Sequence, residues 1–201
     1  MRKWIVPIVT TIIAVIISIA AYDSLPSQMA VNYGESDTFM DKRIAVSLMP
    51  VLILVLSGMT LFLIRMEKDE NKRKRAELIV SAINSIATIV LLAAHGFMVA
   101  YNLDYPLNFA IFVTLTVGST FVLIGNLVPR LPQGTYEWPK IEHNSRRQLM
   151  RFSGKLMVAF GLIFMILALI PGSYIFPVFF ALLGAFIIIT AGKSIHVVQS
   201  K

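Results

Sequence analysis

The sequence predicts an all-α, multi-pass membrane protein: a bundle of six transmembrane helices forming one integral membrane domain over residues 1–201. The first observation is composition, since 57% of the residues are hydrophobic, 14% are charged and the mean hydropathy is +0.76. An average soluble domain is about 45–50% apolar and about 25% charged. The second is a series of apolar runs near the length of about 20 residues that crosses a bilayer. The third is the sorting of basic residues to one side. Together they exclude a soluble enzyme, a disulfide-stapled secreted domain and a disordered chain.

Six apolar runs define the predicted spans, at residues 4–22, 44–64, 78–101, 109–128, 156–170 and 174–192. Backbone polar groups in hydrocarbon must be satisfied within their own segment, so each run is predicted to be a helix. The first run follows Arg2 and Lys3 and resembles a signal peptide. It exceeds the apolar core of about 7–15 residues typical of such peptides, so we interpret it as a signal anchor.

Orientation follows from the basic residues. Sixteen of the eighteen Lys and Arg residues fall in the N-terminus, the loops 65–77 and 129–155 and the C-terminal tail. The positive-inside rule places these segments, and therefore both termini, in the cytoplasm of a plasma-membrane protein. The formal charge is then +10 on the inner face and −3 on the outer face. The net charge of +7 thus indicates topology, and no direct nucleic-acid partner is expected.

The loops differ in character. The loop 65–77 is predicted to be a solvated turn in contact with anionic lipid headgroups. Its alternative role is to dock a cytoplasmic partner through Lys72, Arg73, Lys74 and Arg75. The segment 129–153 is broken by prolines, and from residue 141 it is predicted to form a short basic interfacial helix before the fifth span. The acidic outer loop 23–43 is either a connector packed on the bundle or a contact surface for a cationic, amphipathic ligand.

Catalytic signatures are missing. No Asp, Glu, Lys or Arg lies inside a span, which argues against an ion-coupled transporter. There is no nucleotide phosphate loop, and the three histidines lack metal-ligand spacing. We therefore expect no enzyme activity, metal site or cofactor. One enzymatic alternative is lipid chemistry at the inner interface through residues 136–151.

The third span carries a polar stripe on one helical face, formed by Ser81, Asn84, Ser85, Thr88 and His95, which Asn102 continues at the outer end. One interpretation is a carrier or channel with His95 as its titrating group. The other is packing, with the polar groups bonded to neighbouring helices. Small residues at packing spacing, such as Gly154 and Gly161, predict close helix contacts within or between subunits.

Two segments resemble the SdpI family of bacterial membrane proteins and its N-terminal DUF1648-like region. The first is Leu25-Pro26, then Val31-Asn32-Tyr33-Gly34-Glu35-Ser36-Asp37, and Lys42 before the second span. The second resembles the family's segment between the fourth and fifth spans, through Gly125, Asn126, Pro129, Arg130, Arg151, Gly154 and Lys155. Asn32, Ala30 and Met150 depart from the family pattern, in which histidine, proline and histidine are usual.

The resemblance implies a function in the bacterial plasma membrane: immunity to a secreted antimicrobial peptide toxin, combined with signalling by holding a small cytoplasmic repressor at the membrane. The toxin contacts it implies lie in the outer loop, at Asn32, Tyr33, Gly34, Glu35, Asp37 and Lys42. The basic inner loops would meet the repressor. Many members of the family are membrane proteins of unassigned role, and that is the competing interpretation.

Overall fold

The computed structural model describes residues 4–33, 38–130 and 143–199. Over these ranges the chain forms six long helices, each long and apolar enough to cross a membrane. They are α1 (Ile5–Ala21), α2 (Lys42–Met66), α3 (Glu70–Asn102), α4 (Phe109–Leu127), α5 (His143–Ile166) and α6 (Gly172–Gln199). The predicted all-α, six-span membrane protein is thereby confirmed.

The chain divides into two compact units. Unit 1 is Met1–Phe109 and contains α1 to α3; unit 2 is Ala110–Lys201 and contains α4 to α6. At one end of unit 1 lie the residues that connect α1 to α2 and those that follow α3; we call this the hairpin end. The opposite end carries the charged segment 65–77, and we call it the basic end.

The charged segment 65–77 is more helical than the sequence predicts. α3 begins at Glu70, so only residues 67–69 separate it from α2. Lys74 pairs with Glu70 at 2.8 Å, one turn apart, a spacing that stabilises an exposed helix. The sequence predicts a solvated turn over 65–77. The structure has a short link at residues 67–69, followed by charged first turns of α3.

The fifth span is also longer than predicted. α5 runs without a break from His143 to Ile166, and no proline interrupts it. Within the described residues, no separate short interfacial helix precedes the fifth span, because the chain from residue 143 onward forms the first turns of α5 itself.

The connection between α1 and α2 contains a β-hairpin where the sequence predicts a loop. β1 (Gln28–Asn32) pairs antiparallel with β2 (Thr38–Asp41), with Met29 opposite Met40 and an irregularity between Ala30 and Asn32. Its base belongs to a buried cluster in unit 1 that contains Leu25, Met29, Ala45, Val46, Met98 and Val99. A hairpin alone is marginal in water, and packing on helix ends stabilises it.

Unit 2 is held by glycines and phenylalanines. A Cβ on Gly161 would lie 2.6 Å from the carbonyl oxygen of Gly118, and one on Gly154 would lie 2.6 Å from that of Gly125. Only glycine permits α4 and α5 to approach this closely. A second layer packs α5 against α6 through Phe160, Phe164, Leu167 and Phe179.

Candidate ligand-binding groove

A groove of about 800 Å³ opens at the hairpin end of unit 1. Its volume is in the range of small-ligand sites. The hairpin lines one side through Gln28, Ala30 and Phe39, and the connection after α3 lines the other through Asp104 and Tyr105. Phe39 is 58% exposed and Tyr105 is 61% exposed. The groove therefore offers aromatic surface beside a carboxylate.

Asn102 joins the two sides of the groove. Its Oδ1 accepts a hydrogen bond from the Ala30 N–H at 2.7 Å, and its Nδ2 donates to the Ala30 carbonyl at 3.0 Å. Nδ2 also donates to the Met98 carbonyl one turn back in α3, at 2.8 Å. The amide thus pairs with β1 as a neighbouring strand would. The sequence places Asn102 on the polar stripe, but this long-range contact could not be read from spacing.

Asp104 lies in the left-handed backbone region, with φ of 61°. Aspartate tolerates this conformation better than most residues. The turn ends α3 and places the Asp104 and Tyr105 side chains on the groove. Sequence reasoning missed Tyr105; the Asp104-Tyr105-Pro106 turn, with an aromatic residue in an outer connection, was the available signal.

Lys42 is fixed by partners within the chain. Its Nζ donates to the carbonyls of Tyr22 at 3.1 Å and Leu25 at 3.2 Å, and it lies 4.4 Å from the centroid of the Tyr22 ring. These carbonyls follow the C-terminal end of α1, where a cation is favourable. The structure thus places this predicted toxin-contact residue as a cap between α1 and α2.

Tyr33 also points into the unit. Its ring packs edge-on against Phe97 and Tyr101, at 5.3 and 4.6 Å between centroids, and lies 5.1 Å from Phe109. Asn32 pairs with Thr38 in the hairpin and is exposed. The other predicted contact residues, Gly34, Glu35 and Asp37, lie outside the described residues.

His95 is fully buried and bonded to the first helix. Its Nε2 lies 3.0 Å from the Ser18 Oγ, which also lies within 3.0 Å of the Ala14 and Val46 carbonyls. The Ser18 hydroxyl and the His95 Nε2 therefore share a hydrogen bond whose donor is set by the imidazole tautomer. One contact therefore connects α1, α2 and α3. The His95 Nδ1 is buried and has no hydrogen-bond partner within the described residues.

The rest of the stripe faces neighbours or its own helix. Asn84 contacts Thr60 at 3.3 Å and, more distantly, Ser57 at 3.5 Å, both in α2. The hydroxyls of Ser81, Ser85 and Thr88 donate to carbonyls of α3. These contacts use the polar groups in packing.

The predicted inner-loop residues fall in unit 2. The structure brings Gly125 and Gly154 together, and Pro129 lies beside Gly154, where an added Cβ would meet its ring at 2.8 Å. The other four motif residues are exposed: Asn126, Arg130, Arg151 and Lys155. The motif thus combines a close contact between α4 and α5 with exposed basic residues.

The proposed docking residues lie on the first turns of α3 in unit 1. The side chains of Arg73 and Lys74 are exposed, while those of Lys72 and Arg75 lie outside the described set. Residues 131–142 are likewise outside the described ranges, and they include the first seven residues of the 136–151 stretch considered for lipid chemistry.

Comparison with known proteins gives one family match. Residues 9–54 match the family model of DUF1648, a domain of unknown function. The matched stretch covers most of α1, the hairpin and the first half of α2, and it confirms the predicted DUF1648-like N-terminal region. Neither a curated protein nor a solved structure matches the chain.

Proposed function

We propose that this protein is a non-enzymatic immunity protein of SdpI type, which protects a bacterium by binding a secreted antimicrobial peptide toxin at the hairpin end of unit 1. The observation that carries the proposal is the groove itself, because the DUF1648-matched segment forms one side of it, from Ser24 to Phe39. In this proposal the protein lies in the bacterial plasma membrane with both termini in the cytoplasm.

The chemistry of the groove suits a cationic, amphipathic peptide. Phe39 and Tyr105 offer exposed apolar surface, and Asp104 supplies a negative charge at the same opening. Aromatic residues dominate the energetics of many protein interfaces. The formal charge of −3 predicted for the outer face favours encounter with a cation.

A survival assay tests the proposal. The chain is expressed in a toxin-sensitive bacterium that is challenged with a panel of secreted, membrane-active peptide toxins. We expect protection against at least one toxin relative to cells carrying the empty vector. Sensitivity to every toxin at equal membrane expression would contradict the immunity function.

Signalling is the second part of the proposal. The basic first turns of α3, through Lys72, Arg73, Lys74 and Arg75, would hold a small repressor at the membrane. Replacing all four residues with glutamine should release the repressor from purified complexes while leaving toxin protection intact. Unchanged co-purification of the repressor would contradict docking at this segment.

A carrier or channel is the alternative function, and one observation favours it: the buried His95 Nδ1 without a described partner. The chain would be reconstituted in liposomes, and proton or ion flux compared with that of His95→Ala. Flux that depends on His95 would support the carrier; flux that is absent or unaffected would remove it.

A further inference from the structure

A second groove lies at the basic end of unit 1, on the surface between α1 and α2. It consists of two adjoining cavities of about 690 and 350 Å³. Both cavities are lined by Trp4, Ile8 and Leu61, so they form one continuous depression. The larger cavity reaches the charged first turns of α3, and the smaller one continues along the helices.

The smaller cavity is lined mainly by apolar side chains. It runs along α1 from Trp4 to Ile12, a rise of about 12 Å at 1.5 Å per residue. Gly58 lines its α2 side, and a Cβ on that glycine would meet nothing within 4 Å. The missing side chain therefore leaves space along the surface of the two helices, at a depth where hydrocarbon surrounds them.

The rim of the larger cavity is charged. Arg65 is in the last turn of α2 and Arg73 is in the first turns of α3, and both are exposed. Glu77 is the third charged residue of the rim. The formal charges of Arg65, Arg73 and Glu77 add up to +1. Within the described part of the chain, neither arginine forms an ion pair, whereas nearby Lys74 is paired with Glu70.

We propose that this groove binds one anionic phospholipid, with its phosphate between Arg65 and Arg73 and one acyl chain along the apolar channel past Leu61 and Gly58. Guanidinium groups bind phosphate through two parallel hydrogen bonds, which a paired lysine cannot offer. Trp4 lies where the charged and apolar parts meet, the usual depth of tryptophan at a membrane interface.

A lipid fits this groove better than a peptide does. An extended peptide in the apolar part would leave its backbone N–H and C=O groups unsatisfied at hydrocarbon depth. An acyl chain has no such groups, and its headgroup matches the cations at the rim. The proposal does not depend on toxin binding, which is placed at the opposite end of the unit, and it shares only Arg73 with the segment proposed to dock the repressor.

The test uses the purified full chain and native mass spectrometry with two lipids that share palmitoyl and oleoyl chains, phosphatidylglycerol and phosphatidylcholine. We expect preferential retention of one phosphatidylglycerol. Arg65→Gln and Arg73→Gln should each weaken its binding by about fivefold, the effect of one basic residue near an anionic headgroup. Gly58→Phe should weaken both lipids, because it fills the channel.

Lys74→Gln is the matched control, since it removes the same charge from the same turns of α3 and should leave retention unchanged. Equal retention of the two lipids by the wild type would overturn the proposal. So would an equal loss in Lys74→Gln, which would indicate general surface charge. Undiminished binding of both lipids to folded Gly58→Phe would also overturn it, because it would leave a phosphate site without an acyl channel.

Discussion

The two units hold their helices together in different ways. In unit 1, polar side chains reach across helices: His95 bonds to Ser18, and Asn84 contacts Thr60. In unit 2, the backbones of α4 and α5 are in direct contact at two pairs of glycines, Gly118 with Gly161 and Gly125 with Gly154. Most described hydroxyls of unit 2 donate hydrogen bonds to carbonyls of their own helices, as those of Thr114, Thr120, Thr190 and Ser194 do.

This difference shows two solutions to one physical problem. Lipid is as apolar as leucine, so little hydrophobic force drives helices together within a membrane. Unit 2 gains close van der Waals contact by removing side chains. Unit 1 uses directional hydrogen bonds and leaves grooves at both of its ends. We therefore expect unit 2 to respond most to added volume and unit 1 to the loss of single polar atoms.

The largest effect is expected from adding volume between α4 and α5. Gly161→Leu should lower the free energy of unfolding by about 1–3 kcal/mol, the usual cost of overpacking, because even its Cβ would lie 2.6 Å from the Gly118 carbonyl. Thermal unfolding measures it, with a fall in Tm of about 2–4 °C per kcal/mol. Gly184→Leu is the control, since nothing lies within 4 Å of its Cβ position. Equal losses in both variants would contradict the glycine contact.

An intermediate effect is expected at the hairpin. Asn102→Ala removes both hydrogen bonds to Ala30, each worth about 1 kcal/mol. Hydrogen exchange should become faster at the Ala30 amide and along β1. Asn126→Ala removes the same group from an exposed position in α4 and should leave exchange in the hairpin unchanged. Slow exchange at Ala30 in Asn102→Ala would show that other contacts hold the strand.

The smallest effect is expected from the contact between α1 and α3. Ser18→Ala removes the hydrogen-bond partner of the His95 Nε2, and hydrogen bonds between membrane helices average about 0.6 kcal/mol. The fall in Tm should therefore be about 1–3 °C. Ser47→Ala, which removes a hydroxyl bonded only within α2, should change Tm less. The reverse order would contradict a structural role for the Ser18–His95 contact.

The sequence predicted the spans well and the outer structures poorly, for physical reasons. Apolar length is a local property, so the six helices could be read directly. The hairpin depends on burial of Met29 against Met98 and Val99, which is a long-range contact. The partners of Lys42 and Asn102 are backbone carbonyls and a backbone N–H. Nearly every residue has such groups, so the sequence does not indicate which of them is bonded. The extension of α3 was missed because its charges suit a solvated helix as well as a turn.

The groove residues could be anticipated only in part. The outer loop was singled out by charge and resemblance, but Tyr33 and Lys42 point into the unit, whereas Phe39 lines the opening. Tyr105 reaches the groove only because α3 ends in the left-handed turn at Asp104. The family pattern marks the segment, and three-dimensional packing decides which of its side chains are available.

The most direct test of the central claim is the toxin dose that halves survival of cells expressing paired variants. Asp104→Asn with Tyr105→Ala changes the groove. Asp23→Asn with Tyr174→Ala makes the same chemical changes at exposed sites that do not line it, with Tyr174 63% exposed against 61% for Tyr105. At equal expression and Tm, the account predicts a loss of protection of at least about tenfold for the groove pair alone. Equal protection by both pairs would contradict toxin binding at the hairpin end.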